Sequence, residues 1–307
     1  MKKTINALKT RVKNLKPEEA WGLSLIIIAA LMFLTAFFGW DLSIARSFYT
    51  GPSVSQVGHF NFNPTISELV KNWGPIPANM LLIAAYLFLV FSLARKPGAR
   101  IYLIPLLVLV AISVFLSIPQ MGGVILAKAP EFTKGAVLLS IVSLLGITAL
   151  GYVHRSDGSV RILLFVVLMH LLIPALTVNG VFKNVMGRPR PMQIEQFGGS
   201  AKYQEWYMIN SSQAKMYKSF ASGHAANAAL LITLFFLSRG FPRRQRAIFI
   251  ILAVVWWMFV SMGRMMGGSH YFSDTLASLW VAVFFGGVLA KYWLKPGKWP
   301  QPVLTRS

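Results

Sequence analysis

Cysteine is absent from the 307-residue sequence, which excludes disulfide bonds and thiolate chemistry. Acidic residues are scarce, at 9 against 30 lysines and arginines, and charged residues make up only 13% of the chain. A soluble domain carries about 25% charged residues, whereas here 55% of residues are hydrophobic and the charges lie in short tracts between long apolar runs. This pattern is typical of a helical protein with many membrane spans.

The strong positive charge of the chain, +21 at pH 7, indicates either an anionic ligand or a membrane. A nucleic-acid-binding protein concentrates its basic residues on one soluble face. Here most of them lie at the ends of apolar runs, where membrane topology places them, so we expect no nucleic-acid partner. The first apolar run is about 20 residues long, beyond the roughly 7–15 residues of a signal-peptide core, and is predicted to be an uncleaved anchor.

Eight apolar runs are long enough, or nearly long enough, to cross a bilayer. Only helices satisfy their own backbone hydrogen bonds in so many separate segments, because no alternating barrel-type pattern is present. The predicted fold is therefore an all-α polytopic membrane bundle of about eight transmembrane helices. The predicted spans cover residues 21–40, 75–94, 101–119, 136–153, 162–181, 222–238, 247–263 and 274–291.

The distribution of basic residues predicts the orientation of these spans. With alternate connections assigned to opposite sides, 19 of the 30 lysines and arginines fall on the side that carries both termini. Positive charge marks the cytoplasmic side, so both termini are predicted to be cytoplasmic. The chain then divides into a basic tail, four N-terminal helices, a catalytic core of helices five to eight and a C-terminal tail, at residues 1–20, 21–153, 162–291 and 292–307.

The outer connections carry basic residues that this topology does not explain. Seven of the eleven remaining lysines and arginines lie in the connections 182–221 and 264–273, against the positive-inside trend. A bound anion would account for them. The other long outer connection, 41–74, is interpreted as an ordinary loop at the level of the headgroups, with a lid over the site as the alternative.

Residues suited to binding a phosphate group occur in three outer elements. Lys183, Arg190 and Arg264 could surround the oxygens of a phosphate ester, and arginine donates two parallel bonds while staying charged. Ser222 and Gly223 open the sixth predicted helix, whose free N–H groups and dipole favour an anion. These five residues form the predicted phosphate-binding set.

Two histidines and one carboxylate supply the groups needed for phosphoryl transfer. His270 and Asp274 are four residues apart and share a face of a helical segment. A carboxylate bonded to one ring nitrogen leaves the other free to act as a nucleophile. His224 could protonate the leaving oxygen and later activate water. No set of metal ligands accompanies the histidines, so we expect neither metal nor cofactor, and activity should survive chelators.

The pattern Lys-x6-Arg-Pro, Ser-Gly-His and Arg-x5-His-x3-Asp, read from Lys183, Ser222 and Arg264, resembles the type 2 phosphatidic acid phosphatase superfamily. The resemblance implies that His270 forms a phosphohistidine, that Asp274 orients it and that His224 is the general acid and base. It also implies which residues hold the phosphate, namely Lys183, Arg190, Ser222, Gly223 and Arg264. The stretch 187–199 is similar to the lipid A phosphatases of this superfamily.

Two positions depart from the pattern of that superfamily. Ala221 stands where proline is usual, and Gly263 stands where serine is usual. Proline presets the backbone at a helix start and a serine hydroxyl could support the phosphate, so the departures are expected to alter rate or substrate preference without abolishing catalysis. Arg188 is not part of the pattern and is interpreted as an interfacial anchor or a solvated loop residue.

The residues and the resemblance together imply a metal-independent phosphatase of the bacterial inner membrane, with a periplasmic site and a lipid phosphate as substrate. The candidate substrates are lipid A, polyprenyl pyrophosphate, phosphatidylglycerophosphate and phosphatidic acid. Two alternatives remain: a lipid phosphotransferase that uses the same intermediate, and a non-enzymatic phospholipid-binding transporter. Membrane lipids are the other expected partners, and the sequence predicts no particular oligomeric state.

Overall fold

The computed structural model of the protein describes residues 17–53, 56–60, 64–94, 108 and 158–294. The predicted spans 101–119 and 136–153 lie outside the described residues, as do most of the two terminal tails. The six other predicted spans coincide with helical segments. The total of eight spans and the cytoplasmic position of both termini therefore stay predictions.

The described residues are mostly helical, with one two-stranded antiparallel sheet. We number the helices in chain order. They are α1 (Pro17–Phe37), α2 (Trp40–Ser47), α3 (Pro64–Trp73), α4 (Ile76–Ala94), α5 (Gly158–His170), α6 (Lys183–Val185), α7 (Gly223–Ala229), α8 (Ile232–Leu237), α9 (Arg243–Met266) and α10 (Phe272–Trp293). A wider π-helical segment, Leu171–Phe182, joins α5 to α6, and the strands are β1 (Tyr49–Ser53) and β2 (Gln56–Phe60).

Five helical segments of the described chain are long and apolar enough to cross a membrane. Their outward faces carry large hydrophobic side chains, and Phe33, Phe91 and Ile251 are each more than half exposed. Apolar faces this extensive are covered by lipid rather than by water. The protein is therefore a multi-pass helical membrane protein. The five segments are Glu18–Phe37, Leu69–Phe91, Val160–Val185, Arg243–Met266 and Phe272–Trp293.

Two details differ from the sequence-based expectations. The predicted span 222–238 is the short apolar helix Gly223–Leu237, interrupted between α7 and α8. A helix of about 15 residues is only about 22 Å long, less than the roughly 30 Å of a bilayer core. The all-α prediction also missed the hairpin of β1 and β2, which pairs Tyr49 with Phe60.

Helix α10 is the centre of the packing, because it contacts α1, α7 and α8 and buries small residues along its length. Gly287 has no side chain where the indole of Trp21 from α1 lies; a Cβ there would be 2.1 Å from the indole nitrogen. That nitrogen donates a hydrogen bond to the carbonyl of Val283, at 2.9 Å. The N-terminal helix is thus packed directly against the helix that carries Asp274.

The chain turns sharply after α1 and then runs beside the end of α10. Gly39 ends α1 in the left-handed conformation, with φ of 63°, which is favourable for glycine. Helix α2 therefore starts in a new direction and contacts α10, while α3 packs against α9. The segment after α1 thus contacts the ends of the two helices that carry the third motif.

Candidate active site

The three motif elements meet where several helices begin or end. Lys183 starts α6, near the end of the helical segment Val160–Val185, Ser222 precedes α7, and Arg264 lies in the last turn of α9. Backbone contacts join them, since the N–H of Ser222 donates to the carbonyl of Asp274 at 3.2 Å. Ser278 Oγ also donates to the carbonyl of Ser222, at 2.8 Å. The start of α7 is therefore fastened to the start of α10.

Lys183 lies directly beside the start of α7. A Cβ on Gly223 would be 3.4 Å from Lys183 Nζ and 3.5 Å from Asn179 Oδ1, so glycine leaves room for these polar atoms. Ser222 is fully buried and its hydroxyl oxygen accepts the N–H of Ala225, at 3.3 Å. Ser222 thus acts first as a helix cap, with its hydroxyl proton still available to a ligand.

The three predicted phosphate-binding cations lie within electrostatic reach of one another. Lys183 interacts with both Arg190 and Arg264, although like charges repel. Arg264 is 9% exposed, and among the described residues its Nε has no hydrogen-bond partner. A buried donor without a partner is costly, and the oxygens of an anion would satisfy it. The arrangement is therefore suited to an anionic group with several oxygens.

His270 and Asp274 form a buried pair next to these cations. His270 Nδ1 lies 3.5 Å from Asp274 Oδ2, longer than an ordinary hydrogen bond, and catalytic hydrogen bonds are often this long before substrate binds. Asp274 Oδ2 also accepts the Tyr271 N–H at 2.9 Å and the Ser219 hydroxyl at 2.6 Å. Asp274 is thus held rigidly with one oxygen towards the His270 ring.

His224 faces the same group of residues from the first turn of α7. It interacts electrostatically with Arg264 and His270, and its ring is hydrogen-bonded to the backbone of Lys71 in α3. The connection 41–74 therefore reaches the site, and its interpretation as an ordinary headgroup-level loop is wrong for α3. The predicted site residues are brought together in one region, from three separate parts of the chain.

The close approach of α3 accounts for Gly263, one of the two departures from the family pattern. A Cβ on Gly263 would lie 2.7 Å from Cγ2 of Val70, which is itself almost fully buried. The usual serine at this position would collide with α3. The absence of that hydroxyl is thus coupled to a helix that packs beside Arg264.

The interpretation of Arg188 as an interfacial anchor or a solvated loop residue is wrong. Its side chain is fully buried and donates to Asp274 Oδ1 at 2.6 Å and to Asp41 Oδ2 at 2.9 Å. Burial lowers the pKa of Arg188, but the two carboxylates outweigh it and raise the pKa above its usual value. Sequence reasoning missed Arg188 and Asp41, although Asp41 is one of only nine acidic residues in the chain.

The described part of the chain contains no group of three histidine, cysteine, aspartate or glutamate residues that could hold a metal ion. The lysine, the arginines and the backbone N–H groups of the site are hydrogen-bond donors. Their chemistry suits direct contact with an anion.

Burial lowers the pKa of His270, and this pKa can be measured. Burial is the main cause that lowers its pKa from 6.5 to about 4, with Arg264 and Arg190 acting in the same direction and Asp274 opposing them. The ring should therefore be neutral at pH 7 and become protonated only as the pH falls towards 4. Nuclear magnetic resonance of histidine-labelled protein in micelles, with the signal assigned by its loss in His270→Ala, measures this. A midpoint at or above 6.5 would contradict it.

The comparisons with known proteins agree with this geometry. The model of the PAP2 superfamily matches residues 160–298, which include all eight predicted site residues. This segment of the helical membrane protein is therefore similar to the PAP2 superfamily, and the resemblance found in the motifs is confirmed. No solved structure matches the chain significantly.

Three similar proteins carry the same name, Lipid A 4'-phosphatase. One from Francisella tularensis subsp. novicida is 33% identical over 141 residues, which are 46% of this chain and 62% of the relative. One from Rhizobium leguminosarum is 37% identical over 120 residues, 38% and 49% of the two chains. One from Rhizobium etli is 33% identical over 118 residues, 38% and 44%. The matched segment therefore spans about half the length of these relatives.

Proposed function

We propose that the protein is a lipid-phosphate phosphatase that hydrolyses a phosphate ester of a membrane lipid, with lipid A as the foremost substrate. The observation that carries the proposal is the buried His270–Asp274 pair beside three cations, one of which has an unsatisfied buried donor. The match of residues 160–298 to the PAP2 superfamily and the names of the three similar proteins support the same function.

In the first proposed step, the neutral ring of His270 attacks phosphorus through Nε2. Asp274 holds the opposite side of the ring and stabilises the positive charge that develops there. The bond from phosphorus to the lipid oxygen breaks, and His224 supplies the proton that this oxygen needs. Lys183, Arg190 and Arg264 balance the charge on the transferred group, as positioned cations do in phosphoryl transfer.

In the second proposed step, water replaces the enzyme as the phosphate acceptor. His224, now without its proton, takes one from the attacking water. The bond between phosphorus and His270 breaks, so that inorganic phosphate leaves and both histidines return to their starting states. The cycle consumes one water for each phosphate released, and none of its steps uses a metal.

An apolar pocket beside the site supports a lipid as the substrate. The pocket has a volume of about 370 Å³ and is lined mainly by hydrophobic side chains, including Met32, Phe182, Trp206 and Phe220. Phe182 directly precedes Lys183, and Phe220 lies two residues before Ser222, so the pocket adjoins the phosphate-binding residues. An acyl chain placed there would stay out of water while the phosphate reaches the cations.

We place the site at the outer leaflet of the bacterial inner membrane. The excess of basic residues in the predicted cytoplasmic connections supports this orientation. The motif cations lie on the opposite side, where only a ligand would favour them. We also propose that residues 162–291 form the catalytic core, with 1–20 and 292–307 as cytoplasmic tails and 21–153 as an N-terminal set of helices.

The proposal is tested by measuring phosphate release from purified protein in detergent. Lipid A, phosphatidic acid, phosphatidylglycerophosphate and polyprenyl pyrophosphate are offered separately, with glucose 6-phosphate as a control that lacks an apolar chain. We expect release from at least one lipid, foremost lipid A, little from the sugar phosphate, and no loss with EDTA. Binding of every lipid without phosphate release would instead favour a transporter, and release only in the presence of an acceptor lipid would favour a phosphotransferase.

A further inference from the structure

Asp41 is a buried carboxylate that lies outside the part of the chain matched by the superfamily. It follows the first apolar helix, at the start of α2, and is 1% exposed. The matched segment begins only at residue 160. Nothing in the proposed reaction so far requires Asp41, yet burying a carboxylate is costly unless it is well paired.

The partners of Asp41 all belong to the active-site region. Its Oδ2 accepts Arg188 Nη2 at 2.9 Å and also accepts the hydroxyl of Ser273. Its Oδ1 accepts the backbone N–H of Ser273, at 2.9 Å. Ser273 lies in the first turn of α10, directly before Asp274, so Asp41 satisfies a free N–H group at the start of that helix.

Arg188 connects Asp41 to the carboxylate that faces the nucleophile. Its Nη1 donates to Asp274 Oδ1 at 2.6 Å and to Ser273 Oγ at 2.8 Å. Its Nε donates to the carbonyl of Gln204 at 2.9 Å, and its guanidinium lies 4.1 Å from the centre of the Tyr271 ring. The guanidinium is thus held on every side, between two carboxylates.

The charges of Asp41, Arg188 and Asp274 explain why two carboxylates are present. With Asp274 alone, Arg188 would form a neutral pair and draw the negative charge of Asp274 away from His270. With Asp41 as its second partner, Arg188 is shared and the group keeps one net negative charge. That charge remains available to stabilise the positive ring of His270 as it forms.

We infer that Asp41 is a positioning residue for catalysis, which acts through Arg188 and the start of α10 to hold Asp274 behind His270. The inference rests on the proposed function. It assigns a task to the N-terminal segment, which lies outside the matched superfamily region. The hydrogen bonds of Asp41 go to Arg188 and Ser273 rather than to the predicted phosphate-binding cations or the predicted nucleophile. Its effect is therefore expected on turnover rather than on substrate binding.

The test uses Asp41→Asn in the full chain, which removes the charge and keeps the size. We expect kcat to fall by about 10- to 100-fold, the scale for partners that orient a reactive ligand. The KM and the inhibition constant of inorganic phosphate should stay near the wild-type values, because Lys183, Arg190 and Arg264 are unchanged. Glu195→Gln is the matched control, since it removes the same charge from an exposed position and should have no effect.

A double-mutant cycle separates positioning from a general loss of structure. Arg188→Gln alone should lower kcat strongly, because it leaves two carboxylates buried without their cation. Adding Asp41→Asn to it should cost nothing more, or restore part of the activity, since the two residues act as one unit. If the two losses multiply, or if Asp41→Asn keeps the wild-type kcat, the inference is wrong.

Ser273→Ala decides the question if Asp41→Asn does not fold, as judged by loss of phosphate binding. This change removes only the hydroxyl between Asp41 and Arg188, so kcat should fall with KM unchanged, and a wild-type kcat would reject the inference. Failure of the proposed function looks different. In that case the wild-type protein itself releases no phosphate from any lipid, whereas an active wild type with fully active variants overturns only the role of Asp41.

Discussion

Replacing His270 with alanine is expected to abolish phosphate release from every lipid that the wild-type protein hydrolyses. Removal of a covalent nucleophile costs roughly 10⁶-fold in turnover in well-studied hydrolases, which would bring this variant to the assay background. The reason is that His270 is the histidine that pairs with Asp274 among the described residues, with Nδ1 lying 3.5 Å from Asp274 Oδ2. Without His270, no ring is held by this carboxylate for attack on phosphorus. Phosphate release and trapping of a labelled, alkali-stable phosphoenzyme measure the effect.

His224→Ala is the matched control for this prediction, because it removes a histidine that is not the proposed nucleophile. With a substrate whose leaving group needs no proton, such as p-nitrophenyl phosphate, this variant should still become phosphorylated. Its hydrolysis of the phosphoenzyme should be slow, since the base that activates water is missing. A labelled phosphoenzyme in His270→Ala, or wild-type turnover, would exclude His270 as the nucleophile.

The second large effect is expected for Arg264→Ala, with a loss of roughly 10²- to 10³-fold in kcat by analogy with removal of one donor from an oxyanion hole. Arg264 is nearly buried, and among the described residues its Nε has no partner. An anion that satisfies this donor gains most in the transition state, when charge on the transferred group is redistributed. Steady-state kinetics with the preferred lipid measure the loss.

Two further variants show whether the arginine acts by position or only by charge. Arg264→Lys keeps the charge but loses the planar fork, so it should lie between alanine and wild type. Lys215→Ala removes the same charge from an exposed position of the connection 182–221 and should leave kcat unchanged. An equal loss of kcat in Lys215→Ala and Arg264→Ala would mean that the cations act only through the overall positive electrostatic potential of the protein.

The helices and the motif residues could be predicted well because their signals are local. Length and hydropathy identify a membrane helix, and six of the eight predicted spans coincide with helical segments of the described chain. The predicted site residues lie in three short motifs with fixed spacing, and the structure brings them to one place. The interruption within Gly223–Leu237 was not predicted, because composition does not reveal where a helix is interrupted.

The environment of the site could not be predicted in this way. Arg188 and Asp41 are 147 positions apart, and each alone resembles an ordinary charge at the end of a helix. Val70 and Gly263 are also far apart, although their contact explains why glycine replaces serine there. Pairing of buried charges and close packing of helices depend on which segments meet, and a single sequence contains no direct signal of that.

The sequence by itself determined the membrane helices and predicted the cations that suit a phosphate group and the histidine and aspartate that suit phosphoryl transfer, because hydrophobic length and side-chain chemistry are properties of short segments. Only the tertiary structure decided that the segment after α1 completes the surroundings of Asp274, through Asp41 and Arg188. The physical reason is that a buried charge is stable only with partners, and those partners are supplied by separate segments that the chain brings together in folding.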